Sequence, residues 1–177
     1  MNNEGDFILK KTMIILLCAV IGILVYNKND EIIIPSDAIR IRIIANSNNI
    51  NDLYDKKKLK EEIEKDIYDF VGDVDTVDEA RFNIKRNLEN INKLVGRKTN
   101  DYKIDYGLNY FPKKSYKGVL YPEGEYESLV ITLGTGEGDN WWCVLFPPLC
   151  LVEADESTTS DAEYTFFIKE IIDKYTK

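Results

Sequence analysis

Met13–Tyr26 (MIILLCAVIGILVY) contains no charge and no strongly polar side chain. A segment this apolar, next to Lys10 and Lys11, suits a lipid surface better than the core of a small domain. At about 1.5 Å per residue the uncharged run covers ~21 Å, short of a hydrocarbon core of ~30 Å. Phe7, Ile8 and Leu9 extend it to a bare span if the stems of Lys10 and Lys11 snorkel to the headgroups. The first expectation is an uncleaved signal anchor and the second a cleaved secretory signal. The charged n-region and the length fit the second, but no small-x-small site follows Gly22. Leu17 before Cys18 argues against lipoprotein processing. Two lysines precede the run, whereas Asn27-Lys28-Asn29-Asp30-Glu31 follows it, so the positive-inside bias holds residues 1–12 in the cytoplasm. Residues 13–31 then form the signal anchor or signal peptide, and residues 32–177 a single exported domain.

The composition narrows what that domain can do. Lys and Arg number 23 against 31 acidic residues, a net charge of −8, which repels polyanions and excludes nucleic acid as an expected partner. The chain has no histidine. Ser-His-Asp and Cys-His nucleophile systems, imidazole acid–base chemistry and His-containing zinc sites are therefore all missing. Chemistry would fall to carboxylates, Lys, Tyr or Cys, and no cofactor is expected.

Periodicity predicts the elements. Ile39–Ala45 alternates apolar and charged residues, the mark of a strand with one buried face. Asn46-Ser47-Asn48-Asn49 is a turn, and Asp52 is the simplest N-cap for the helix that follows. That helix buries Leu59, Ile63, Ile67 and Phe70 or Val71, and closes at Gly72. Thr76 and Glu79 form a capping box for a second helix, with a stripe of Ala80, Ile84, Leu88, Ile91 and Val95 and a terminal Gly96. Tyr102, Ile104, Tyr106, Leu108 and Tyr110 alternate in a strand over 102–111. Residues 116–121 and 126–133 read as two more strands, separated by the Pro122-Glu123-Gly124 turn. Residues 133–150 read as a glycine-rich loop followed by an apolar cluster, and 153–159 as a surface connection. Ser160 and Glu163 cap a last helix with a stripe of Tyr164, Phe167 or Ile168, Ile171 and Tyr175. The fold class is α+β: an antiparallel or mixed sheet with about three helices packed on it, preceded by the N-terminal membrane helix.

The rarest residues cluster in Gly134–Cys150. Gly134, Gly136 and Gly138 make a poor phosphate cradle, because Glu137 and Asp139 repel anions and no Walker Lys or Ser/Thr follows. Tight turns explain the glycines more simply. Cys143 and Cys150 flank Pro147-Pro148, and a structural disulfide is expected there. Redox catalysis, a two-cysteine metal site and free buried thiols remain the alternatives. Trp141 and Trp142 are adjacent, so in an extended segment they point to opposite sides, one into the core and one available as an interface anchor. Arg40 and Arg42 share the polar face of their strand, where they either pair with local carboxylates or receive an acidic partner surface. No two carboxylates stand out as a glycosidase pair.

Two blocks of residues resemble the stage II sporulation protein R family of endospore-forming bacteria. One is Arg40-Ile-Arg42-Ile-Ile-Ala45-Asn46-Ser47. The other runs from Tyr121-Pro122-Glu-Gly124-Glu-Tyr126 through Gly134-Thr-Gly136-Glu-Gly138-Asp-Asn140-Trp141-Trp142-Cys143 to Phe146-Pro147-Pro148-Leu149-Cys150. Asn48 and Glu123 depart from the family pattern, both in turns. The resemblance implies a signalling protein exported from the forespore into the space between the forespore and mother-cell membranes. It implies, as partner, a membrane-embedded aspartic-type protease that processes the precursor of the mother-cell sigma-E factor, and no active site of its own. Trp141, Trp142, Asn140, Arg40 and Arg42 are the expected partner contacts, with Cys143 and Cys150 closing the loop beside them. The rival expectation is an exported enzyme, either a thiol-disulfide protein or a carboxylate-based wall hydrolase.

Overall fold

The alternation over Ile39–Ile44 forms the strand around which the domain is built. The computed structural model describes residues 3–26, 32–150 and 160–175. These fall in two units, one within Met1–Glu31 and one within Ile32–Lys177. The first is a helix, α1 (Asn3–Tyr26), about 36 Å long at the usual rise. Among the described residues no helix is long and apolar enough to cross a membrane, so the expected membrane span is not supported, although the helix itself forms.

The second unit contains β1 (Ile32–Ile33), β2 (Ile39–Ile44), α2 (Ile50–Val71), α3 (Val77–Gly96), β3 (Tyr102–Phe111), β4 (Lys114–Tyr116), β5 (Val119–Tyr121), β6 (Gly124–Leu133), β7 (Asn140–Phe146) and α4 (Asp161–Tyr175). Together the elements make an α+β fold with two mixed sheets and four helices among the described residues. The larger sheet runs β3-β6-β2-β7 and the smaller β1-β5-β4. β2 lies parallel to β6 and antiparallel to β7, while β3 is antiparallel to β6.

Two cores result. Ile39, Ile41 and Ile43 of β2 meet Leu59, Ile63, Ile67 and Val71 of α2 and Ala80, Ile84, Ile91 and Val95 of α3 on one face of the larger sheet. Ile34, Val119, Val144 and Leu149 pack against Tyr164, Ile168 and Ile172 of α4 in the second. α3 is also fastened to the sheet by polar groups. Arg81 Nε donates to Glu127 Oε2 at 2.7 Å and the Tyr106 hydroxyl to Oε1 at 2.9 Å.

Several local readings are corrected. The helix α2 is capped by Asn49, whose Oδ1 accepts from the Asp52 N–H at 2.9 Å, one turn earlier than Asp52 itself. Gly96 is the last residue inside α3, with Arg97 as the right-handed C-cap. The Tyr102 hydroxyl lies close by, 3.0 Å from where an added Cβ would sit. Residues 114–121 form a hairpin rather than one strand, because Lys117 and Gly118 both take positive φ, the two-residue turn that suits antiparallel strands. The alternation in β3 outruns its cover: Leu108 is 70% exposed, and the buried residue at that end is Phe111, on the opposite face. In α4, Ile168 is buried and Phe167 faces solvent, because the stripe continues to Ile172. The apolar cluster after the glycines is the edge strand β7 of the larger sheet. The capping box at Ser160 forms in both directions, whereas at Thr76 the hydroxyl accepts from the Glu79 N–H and the Glu79 carboxylate accepts from the N–H of Asp75, one residue before the cap. The expected connection over 153–159 lies outside the described residues.

Candidate functional site

The two resembling blocks are far apart in sequence and adjacent in space. Arg42 in β2 sits opposite Trp142 in β7 and Val130 in β6, and Arg40 opposite Val144 and Ser128. The glycine-rich loop docks on the turn after β2. Ala45 and Asn46 carbonyls accept from the Gly138 and Glu137 N–H groups at 2.9 and 3.0 Å. Asn46 Oδ1 accepts from the Thr135 N–H at 2.9 Å and Asn48 Oδ1 from the Asp139 N–H at 2.7 Å. The Asn46 amide in turn donates to Asp52, as does the Ser47 hydroxyl at 2.6 Å. These donors, Ser47 first, hold the Asp52 carboxyl below its ordinary pKa. The loop amides are thus engaged by the protein itself, which explains the glycines without a bound phosphate.

Gly138 shows how tight the dock is. An added Cβ would lie 2.4 Å from the Ser47 carbonyl oxygen, a backbone atom that cannot step aside. Gly138→Ala is therefore expected to lower stability by about 2 kcal/mol, read as a shift of the urea midpoint at unchanged slope.

Strand geometry turns Arg40 and Arg42 away from the α2–α3 core, onto the face that also carries Phe111, Tyr126 and Trp142. That face is walled rather than solvated. Arg40 is 3% exposed. Its guanidinium carbon lies 3.4 Å from the Tyr126 ring centre and 5.3 Å from that of Phe111, and Arg42 stacks 5.2 Å from Phe111. Phe111 meets Trp142 edge to face at 6.0 Å. Burial lowers the Arg40 pKa, against the opposing pull of Tyr126 and Tyr121. A guanidinium nonetheless keeps its charge.

The expected pairing of these arginines with local carboxylates is not found. Among the described residues neither forms an ion pair, and Arg40 makes one hydrogen bond, to the Pro122 carbonyl at 3.4 Å. Arg40 Nε, Arg42 Nε and Trp142 Nε1 are buried with no acceptor among the described residues.

These groups surround a cavity of about 220 Å³. Arg40, Phe111, Tyr121 and Trp142 line it on the arginine face, and Lys114 and Tyr116 of the hairpin close over it. Asn140, Cys143, Trp141 and Lys60 complete the lining around the edge strand. Trp141 and Trp142 diverge across the sheet, as adjacent residues in a strand must. Trp141 packs on the first core, with Lys60 Nζ 5.0 Å from its ring centre, and Lys114 Nζ lies 5.6 Å from that of Trp142. No carboxylate of the described residues lines the cavity.

The structure thus places Arg40, Asn140, Trp141 and Trp142 on one cavity, with Arg42 beside it, and joins Cys143 to Cys150 in a disulfide with Cα atoms 5.7 Å apart. Met13 and Tyr26 lie on α1, in the other unit. Sequence reading missed Lys60, Phe111 and Lys114. Phe111 carried a usable signal, as the apolar residue that breaks the period of its strand, whereas the two lysines carried none.

A model of the family described as stage II sporulation protein R matches residues 35–156. The stage II sporulation protein R of Bacillus subtilis (strain 168) is 40% identical over 134 residues, 72% of this chain and 59% of that protein. The chain thus spans about three fifths of the length of that curated relative. No solved structure matches. The matched segment contains both blocks that build the cavity and the loop docked beside it, and the chain belongs to the stage II sporulation protein R family.

Proposed function

We propose that this protein is an exported sporulation signal that acts by contact. It activates a membrane-embedded aspartic-type protease, which then processes the precursor of the mother-cell sigma-E factor. The observation that carries this reading is the cavity at β7. It joins two tryptophans to a buried arginine that forms no ion pair among the described residues, and a protein partner can use both. Family membership is consistent with a sporulation role. Activation follows if the bound surface prefers the protease's active conformation over its inactive one.

The N-terminal helix serves export in this reading. Its uncharged run has the length of a leader's apolar region behind a charged n-region, and the domain is delivered to the intermembrane space either anchored by it or released from it. A thiol-disulfide enzyme is the weaker reading, because both sulfurs of the Cys143–Cys150 bridge are buried.

Replacing Trp141 and Trp142 with alanine in exported, folded protein is expected to abolish processing of the sigma-factor precursor, followed by immunoblot during sporulation. Undiminished processing by that variant would overturn the contact surface.

A further inference from the structure

We infer that the cavity at the edge of β7 is a seat for carboxylates, filled by an acidic, extended segment of a protein partner lying along Asn140–Trp142. The inference rests on the signalling reading for its biological setting and on the chemistry of the cavity for its ligand.

Charge is the first argument. A protein with a net charge of −8 has gathered Arg40, Lys60 and Lys114 around one cavity, with Arg42 beside it and no carboxylate of the described residues in the lining. Lys60 is paired with Glu64 at 3.5 Å, whereas Arg40, Arg42 and Lys114 form no ion pair among the described residues. Buried charges are ordinarily paired within a fold, and among the described residues these two arginines are not.

Donor chemistry is the second. Arg40 and Trp142 line the cavity, and Arg40 Nε and Trp142 Nε1 are buried without an acceptor among the described residues, as is Arg42 Nε beside it. Stacking on Tyr126 and Phe111 occupies the guanidinium faces and leaves their edges to donate. A planar, acceptor-only group matches that edge, and a carboxylate is one. The walls are aromatic, so the carboxylate should arrive on a short apolar stem, as on a glutamate side chain. Phosphate fits less well, since neither a helix N-terminus nor a hydroxyl from Ser or Thr lines the cavity.

Position is the third. β7 ends the larger sheet among the described residues. The cavity wraps its edge, taking Lys60 and Trp141 from one face and Lys114 and Trp142 from the other. A segment added along that edge sets alternate side chains on the two faces, within reach of both lysines.

The two tryptophans are the only ones in the chain, so fluorescence reports on this site directly. Full-length protein in nonionic detergent is titrated with acetyl-Val-Glu-Val-Glu-Val-amide, with its glutamine counterpart, and with inorganic phosphate. The expected result is a saturable change with the glutamate peptide that weakens with added salt, and affinity lower by about tenfold or more for the glutamine peptide and for phosphate. K114E, at an exposed position, is expected to weaken the glutamate peptide by about tenfold. Arg40→Gln is expected to weaken it further. Equal affinity for the two peptides, phosphate binding as tight as the glutamate peptide, or no effect of K114E would each overturn the inference. Failure of the glutamate peptide to bind, with processing still lost in Trp142→Ala, overturns the carboxylate seat and leaves the signalling reading intact. Tight, selective binding with normal processing in Trp142→Ala supports the seat and overturns the signalling reading.

Discussion

Replacing Arg40 with methionine is expected to make the protein more stable by about 1–2 kcal/mol and, under the proposed function, to abolish processing of the sigma-factor precursor. Arg40 is buried, its Nε has no protein acceptor, and it forms no ion pair among the described residues, so its desolvation is not repaid by a counter-ion. Methionine is similar in length, keeps a favourable sulfur contact with the Tyr126 ring and brings no charge to desolvate. Losing the stack on Tyr126 costs part of the gain, since a cation over an aromatic ring contributes about 1–2 kcal/mol when desolvated. The Pro122 carbonyl is not orphaned, because the Tyr126 hydroxyl also donates to it at 3.2 Å. Urea unfolding of the two proteins, set beside precursor processing in sporulating cells, measures both halves. A higher midpoint with lost processing is the signature of a residue kept for its ligand at the expense of the fold. A clearly lower midpoint would show instead that the arginine holds the aromatic wall together.

That opposition between fold and ligand also separates what could be read in the sequence from what could not. Apolar periods report burial, and where burial alone decides, the reading holds. Ile39, Ile41 and Ile43 of β2 and the stripes of α2 and α3 lie where their spacing puts them, because each meets one continuous core, whereas the charged face of β2, expected to be open, is covered as well. Periodicity fails where an element outruns its cover. Leu108 keeps the β3 period but has no helix above it, so it is exposed, and the face that matters at that end is the one carrying Phe111. The period also fails in β7, which is packed on both faces and therefore reads as a plain apolar run.

The site was half visible for a related reason. Arg40 and Arg42 stood out as charges in an apolar strand, and Trp141 and Trp142 as rare neighbours. What the sequence could not tell is that the arginines find no carboxylate among the described residues, since that depends on which side chains the β6 and β7 registers bring beside them. Lys60 reaches the cavity from a helix and Lys114 from a hairpin, and each looks like any surface lysine along the chain. The glycines were read for their backbone freedom, whereas at Gly138 the controlling fact is contact with the Ser47 carbonyl.

Tyr164→Ala is expected to cost about 4 kcal/mol, a large part of the stability of a domain this size, and to disable the cavity although Tyr164 does not line it. Tyr164 is 1% exposed at the centre of the second core. Its ring meets Tyr116 edge to face at 5.8 Å, and its hydroxyl lies 3.4 Å from that of Tyr121. Thr165, next in α4, donates to the Lys117 carbonyl at the hairpin turn at 3.0 Å. Tyr116, Tyr121 and Lys114 are the cavity's hairpin wall, so α4 reaches the site through that wall. Tyr164→Phe keeps the ring and gives up only the hydroxyl contact, at a cost of about 1 kcal/mol or less. In the alanine variant, peptide titration at temperatures where the protein remains folded should show the glutamate response weakened or lost, while the phenylalanine variant keeps it. If both variants bind as the wild type does, the hairpin is held by the larger sheet alone, and the second core plays no part in presenting Lys114 to a ligand.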